Sequence, residues 1–244
     1  MHRVLASLAA LTLAILSPGN AGAAGDGRPD FVPLDVPQLV SRTIDKDTAI
    51  ASMPVRFGRT ARLLTTVTPK AGSKEPPLEA GQPLFGVWMA PPRGQGQVVW
   101  CALRPDTKPK ALWPWETLCL HQLSDGPDWV LIDSFGMLPL NLDSRTIAAR
   151  VGPIEIEPGP VDFGHPLVLT YALREFDKQD VDIDLYLSVE GFERWIGQIH
   201  LPREADGSAL LPLTNGVLRL TQAGTNRRAY TAAWVTEPRA ANAP

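Results

Sequence analysis

Between Asp180 and Val189 the chain alternates without a break. Val181, Ile183, Leu185, Leu187 and Val189 are aliphatic, and Asp180, Asp182, Asp184, Tyr186 and Ser188 stand between them. A period of two over this length puts the aliphatic set on one face of a strand and the polar set on the other, the pattern of a half-buried antiparallel strand. A helix cannot use it, because side chains spaced by two do not share a face at 3.6 residues per turn. The rest of the sequence agrees: 24 prolines and 20 glycines divide 244 residues into short pieces. An interior proline removes a helical hydrogen bond and clashes with the preceding turn, so long helices do not survive such spacing.

Strand-like runs bounded by turn signals are expected at 61–67, 84–89, 98–103, 117–121, 129–133, 166–176 and 193–199, with shorter ones at 210–211, 217–220 and 231–235. Asp206-Gly207 and Thr214-Asn215-Gly216 are hairpin turns by composition. Asp26 to Pro37 reads as an extended arm or edge strand, and Thr43 to Ser52 as one short helix. The expected fold is all-β, antiparallel and sandwich-like, in two β-lobes, with one continuous sandwich or barrel as the alternative. An N-terminal β-domain spans 24–152 and a C-terminal antiparallel meander 153–238, with a flexible tail at 239–244. Pro158-Gly159-Pro160, near the boundary, reads as a linker or a sheet-crossing connection.

The N-terminus has the form of an export signal over 1–23. Arg3 supplies a basic start, Val4 to Leu16 carries no charge, and Ala21-Gly22-Ala23 offers a small-x-small cleavage pattern. The apolar run fits the roughly 7–15 residues of a signal core and falls short of the about 20 needed to span a bilayer. No cysteine follows it to take a lipid, and no later segment is long and apolar enough to span. The expected location is therefore secreted or periplasmic. Loss of Arg3 takes the formal charge from −3 to −4. That mild acidity, without a basic cluster, argues against nucleic acid as a partner.

Two cysteines behind an export signal read as one disulfide, Cys101–Cys119, rather than as thiols or metal ligands. Redox catalysis would need a Cys-x-x-Cys spacing or an acidified thiol. The segment between them, Arg104 to Glu116, carries Pro105, Pro109 and Pro114 and reads as a long loop. Trp113 and Trp115 sit in it on either side of a proline. Held on a rigid loop, such rings suit stacking on a sugar or a partner's apolar patch, or they pack down as a lid on the core.

Signatures of other chemistry do not assemble. Asp180, Asp182 and Asp184 form a row about 6.5–7 Å apart on a strand, too wide for one calcium ion held at 2.3–2.6 Å, and the row is expected to be a solvated strand face. After signal removal His121, His165 and His200 remain, scattered and without zinc-ligand spacing. There is no Gly-x-Ser-x-Gly elbow and no phosphate-cradling glycine loop. No catalytic residue, metal site or cofactor is assigned. The expected role is that of an exported, non-catalytic β-domain protein that binds an envelope protein or a glycan. The alternative is a secreted hydrolase acting on polysaccharide or cell-wall polymer, which requires two acids across a deep cleft. Glu116 and Asp133 are available for that, but nothing singles them out.

Overall fold

The computed structural model describes residues 26–44, 46–68, 76–89, 97–110, 113–123, 128–134, 147–214 and 216–238. The expected signal segment and the tail at 239–244 lie outside them. Among the described residues there are seventeen strands and no helix, every pairing is antiparallel, and the sheets form two lobes.

The first lobe is an eight-stranded sheet. Its core is the meander β6 (Pro83–Met89), β7 (Gln97–Lys110), β8 (Trp113–Gln122), β9 (Trp129–Ser134) and β10 (Ile147–Val151). On the other side of β6 lie β5 (Thr60–Leu63) and β11 (Ile156–Pro158), and β1 (Asp26–Pro29) also pairs with β6. The second lobe joins two sheets. One runs β14 (Phe192–Pro202), β13 (Asp180–Val189), β12 (Leu167–Phe176), β4 (Asp47–Phe57) and β2 (Phe31–Pro33), with β3 (Gln38–Ile44) also on β4. The other is β15 (Ala209–Leu213), β16 (Gly216–Gln222) and β17 (Tyr230–Thr236).

Chain order and sheet membership differ. The arm at 26–37 gives β1 to the first lobe and β2 to the second, while the proline-flanked segment at 154–160 crosses between sheets and pairs β11 with β5.

Two expectations change here. The helix expected at Thr43 to Ser52 is the β3–β4 hairpin, in which Ile44 pairs with Asp47 and Thr43 with Thr48. Its β-branched residues fit a pleated sheet, and the chain turns at Lys46. The loop expected between the cysteines is likewise a hairpin: Arg104 pairs with Glu116, Pro105 with Trp115 and Lys110 with Trp113. The register shifts between Pro105 and Lys110, where two prolines cannot donate to the ladder.

The main core lies among all three sheets. It gathers Met53, Val55 and Phe57 of β4, Phe85 and Val87 of β6, Cys101 and Cys119, and the aliphatic row of β13, with Leu211, Leu218 and Leu220 from the small sheet. Phe57 stacks on Phe85 at 4.2 Å, and Phe163 meets Phe57 edge-on at 4.9 Å. Leu63, Leu84, Ala102, Leu118, Leu120 and Leu131 fill the opposite face of the curled eight-stranded sheet. Burial on both faces explains why Val98 to Leu103 reads as a continuous apolar run rather than an alternating one.

Candidate functional site: a polar trough on the outer face of the second lobe

The cysteines form the expected disulfide, with the two residues directly opposite on β7 and β8 and both fully buried. Trp115 shares their face of β8 and is only 6% exposed, its ring 4.6 Å from that of His165. As a core side chain it presents no contact surface, because the segment that carries it is a strand of the inter-sheet core rather than a loop. The side chains of Trp113, Glu116 and Asp133 lie outside the described residues. The three histidines are far apart in role: His121 meets Gln97, His165 meets Glu190, and His200 meets Asp182.

A different set of residues converges on the outer face of β4, β12, β13 and β14, away from the core. The aliphatic row of β13 points inward as expected, which turns Asp182, Asp184, Tyr186 and Ser188 outward. That polar row is not the solvated face expected of it. Asp184 is 3% exposed and Tyr186 is buried too. Small side chains make the covering possible: Ala49 and Ala172 are fully buried and, with Ile44, form an apolar floor beneath Tyr186. Across this floor the Tyr186 hydroxyl donates to Asp47 Oδ2 at 3.0 Å. From the other side, the Trp195 indole N–H donates to Asp184 Oδ1 at 3.0 Å.

Bulges aim the side chains. On β14, Leu185 faces Gly197 and Tyr186 faces Trp195, so Ile196 is the extra residue. Ile196 fills the core and Trp195 is thrown onto the outer face, where 46% of it is exposed. On β12, Leu173 faces Ile183 and Glu175 faces Asp182, leaving Arg174 as the bulged residue. Its guanidinium lies 3.7 Å from Asp184 and 3.4 Å from the side chain of Gln198. On β4, Tyr171 faces Ala51 and Ala172 faces Ala49, so Ile50 is extra. One extra residue kinks a strand and redirects its side chains, a device found beside binding and catalytic sites. Here the bulges on β12 and β14 bring Arg174 and Trp195 to one depression.

The depression is an open trough of about 340 Å³, lined by Lys46, Asp47, Arg174, Asp184, Tyr186, Trp195 and Arg228. Burial pushes the Asp184 carboxyl above its ordinary range, and the adjacent Asp47 carboxyl, within hydrogen-bonding reach, adds to the rise. The Trp195 N–H and Arg174 offset part of it. On the same outer face, Arg42 pairs with Glu193 and donates to Thr170 Oγ1 at 3.3 Å. The trough can hydrogen-bond hydroxyls from both sides and offer an indole face between them. Among the described residues no three His, Cys, Asp or Glu side chains come together to hold a metal ion, and no helix is long and apolar enough to cross a membrane.

Sequence reading overlooked Lys46, Asp47, Arg174, Trp195 and Arg228. The one signal available was the Asp row itself, since a polar residue on the outer face beside small alanines can be covered. Neither a family model nor a curated protein nor a solved structure matches the chain.

Proposed function

We propose that this is an exported, non-catalytic β-domain protein that binds a glycan in the trough of its second lobe. The observation that carries the reading is Trp195: a half-exposed indole fixed in place through its N–H by a buried carboxylate. Sugars present an apolar C–H face and a rim of hydroxyls. An aromatic ring with a polar handle, flanked by a few fixed polar groups, complements both. A trough of this size suits a sugar unit better than a protein surface, which needs roughly 800 Å² on each side. Export is supported by the signal-like N-terminus and is in keeping with the buried disulfide.

The paired acids Asp47 and Asp184 give the hydrolase reading its one specific support. Against it, glycoside hydrolysis needs carboxyl groups about 5–9.5 Å apart to admit the sugar and, in inverting enzymes, a water. Here they lie within hydrogen-bonding reach of each other, and the trough is open rather than cleft-like.

Isothermal titration of the mature protein with envelope oligosaccharides tests the proposal, alongside an assay for new reducing ends. Saturable binding that is lost in Trp195→Ala, with no reducing ends released, is expected. Release that depends on Asp184 would replace binding by hydrolysis.

A further inference from the structure

The lining of the trough carries an imbalance of charge. Lys46, Arg174 and Arg228 contribute three cations against the carboxyls of Asp47 and Asp184, on a chain whose formal charge is −3. The carboxyls are already engaged. Asp184 accepts the Trp195 N–H, Asp47 accepts the Tyr186 hydroxyl, and the two lie against each other.

The cations are also placed rather than scattered. Arg227 and Arg228 are neighbours in the β16–β17 turn and have opposite fates. Arg227 donates to the Phe176 carbonyl at 2.7 Å and to Asp177 at 2.8 Å, while the Phe176 N–H donates back to the Arg227 carbonyl at 2.8 Å. This clamp fastens the turn to the end of β12 and sets Arg228 at the trough, where it forms no ion pair among the described residues. Lys46 occupies the β3–β4 turn with φ of 92°, a left-handed conformation unusual for a side chain with a Cβ. It too forms no ion pair among the described residues. Arg174 reaches the trough from its bulge, held by a 3.7 Å approach to Asp184 and a 3.4 Å contact to Gln198.

We infer that the trough selects an acidic glycan, with Arg228, Arg174 and Lys46 gripping a carboxylate or phosphate on a sugar stacked against Trp195. The inference rests on the glycan reading and narrows it. Planar guanidiniums match the two oxygens of a carboxylate or phosphate with paired hydrogen bonds. A neutral sugar would leave Arg228 and Lys46 facing water, and a free anion would leave the indole uncovered.

Titration of the mature protein with four probes tests it: a neutral oligosaccharide, its uronic-acid counterpart, a sugar phosphate of the same backbone, and inorganic phosphate. One of the acidic sugars is expected to bind at least about tenfold more tightly than the neutral one and than inorganic phosphate, as charge-assisted pairing at a shared site requires. Whichever acidic sugar is tighter identifies the anionic group. The double variant Lys46→Gln/Arg228→Gln, with its melting temperature checked for intact folding, is expected to lose at least about tenfold in affinity for that sugar. Added salt should weaken the wild type more than the variant. Equal binding of neutral and acidic sugars, or affinity kept within about threefold in the double variant, overturns the acidic preference and leaves glycan binding standing. Inorganic phosphate binding as tightly as the sugar phosphate also overturns it. If none of the sugars binds, the glycan reading itself fails.

Discussion

Trp195 and Asp184 meet across neighbouring strands because β14 carries one residue more than its partner. Asp184 faces Gln198 and Tyr186 faces Trp195, so three residues of β13 span four of β14. In unbroken register Trp195 would face Leu187 and point into the core.

Gly197 makes this bulge possible. Its φ of 153° lies where a side chain is rarely accommodated. Gly197→Val is therefore expected to destabilise the protein by about 1–3 kcal/mol, the usual cost of forcing such a conformation. If the strand straightens instead, Trp195 loses its bond to Asp184. Denaturant melts together with near-ultraviolet circular dichroism of the indoles check this. A variant as stable as the wild type, with an unchanged spectrum, would show that the bulge needs no glycine.

Asp184 gives the protein a pH signature. An Asp carboxyl in the unfolded chain titrates near about 3.9, and burial raises that of folded Asp184 above this value. Between the two, the native state holds more protons than the unfolded state, so stability falls as pH rises through the window. Asp184→Asn keeps an oxygen for the Trp195 N–H and removes the titration. Relative to wild type, the variant is expected to gain stability between pH 3.5 and pH 7, measured by urea unfolding at both. A difference that stays constant or reverses would mean that Arg174 and the indole outweigh burial.

Much of this fold was legible in the sequence, and much of the site was not. The β13 alternation gave the strand, its inward face and its partners' antiparallel sense, because a period of two has one structural solution. Asp184 was visible as an outer-face residue, but its burial depends on Ala49, Ala172 and the ring of Tyr186, drawn together from three strands. Trp195 was hidden for a sharper reason. A bulge shifts the parity of everything beyond it, and parity is what sequence reading relies on. Trp115 packs down on the core, one of the two placements its sequence allows, but from a strand rather than a loop, because the β7–β8 ladder tolerates prolines at an irregular register.

His121 should impose a loss of stability on the acid side. Burial lowers the pKa of its ring. Its Nε2 lies 3.1 Å from the Gln97 side-chain nitrogen, a donor, so Nε2 accepts and Nδ1 carries the proton. Among the described residues, buried Nδ1 has no hydrogen-bond partner. A depressed histidine pKa means that the unfolded chain binds the extra proton first. The stability it contributes is complete above about 6.5 and is lost as pH falls through the folded value. His121→Gln, which preserves a partner for Gln97, is expected to flatten melting temperature against pH between 7 and 5. An identical slope in the variant would assign the acid loss to other groups.

Cys101 and Cys119 stand opposite each other with Cα atoms 4.0 Å apart, and both belong to the cluster that contains Phe57, Leu187, Leu211 and Leu218. The crosslink is therefore set in the shared core of all three sheets rather than on a local loop. Replacing both cysteines by alanine is expected to cost about 3 kcal/mol through the restored freedom of the unfolded chain, and more where the removed sulfurs leave space. The distribution of the loss is the stronger test. Because Phe57 of β4 stacks on Phe85 of β6 within that core, weakening the β7–β8 hairpin should loosen the second lobe as well. Hydrogen exchange in the double variant should therefore speed up for the core amides of β12 and β13 as much as for those of β7 and β8, in one cooperative unit. Faster exchange confined to β7 and β8 would show that the lobes hold independently and that the aromatic contact between them carries little.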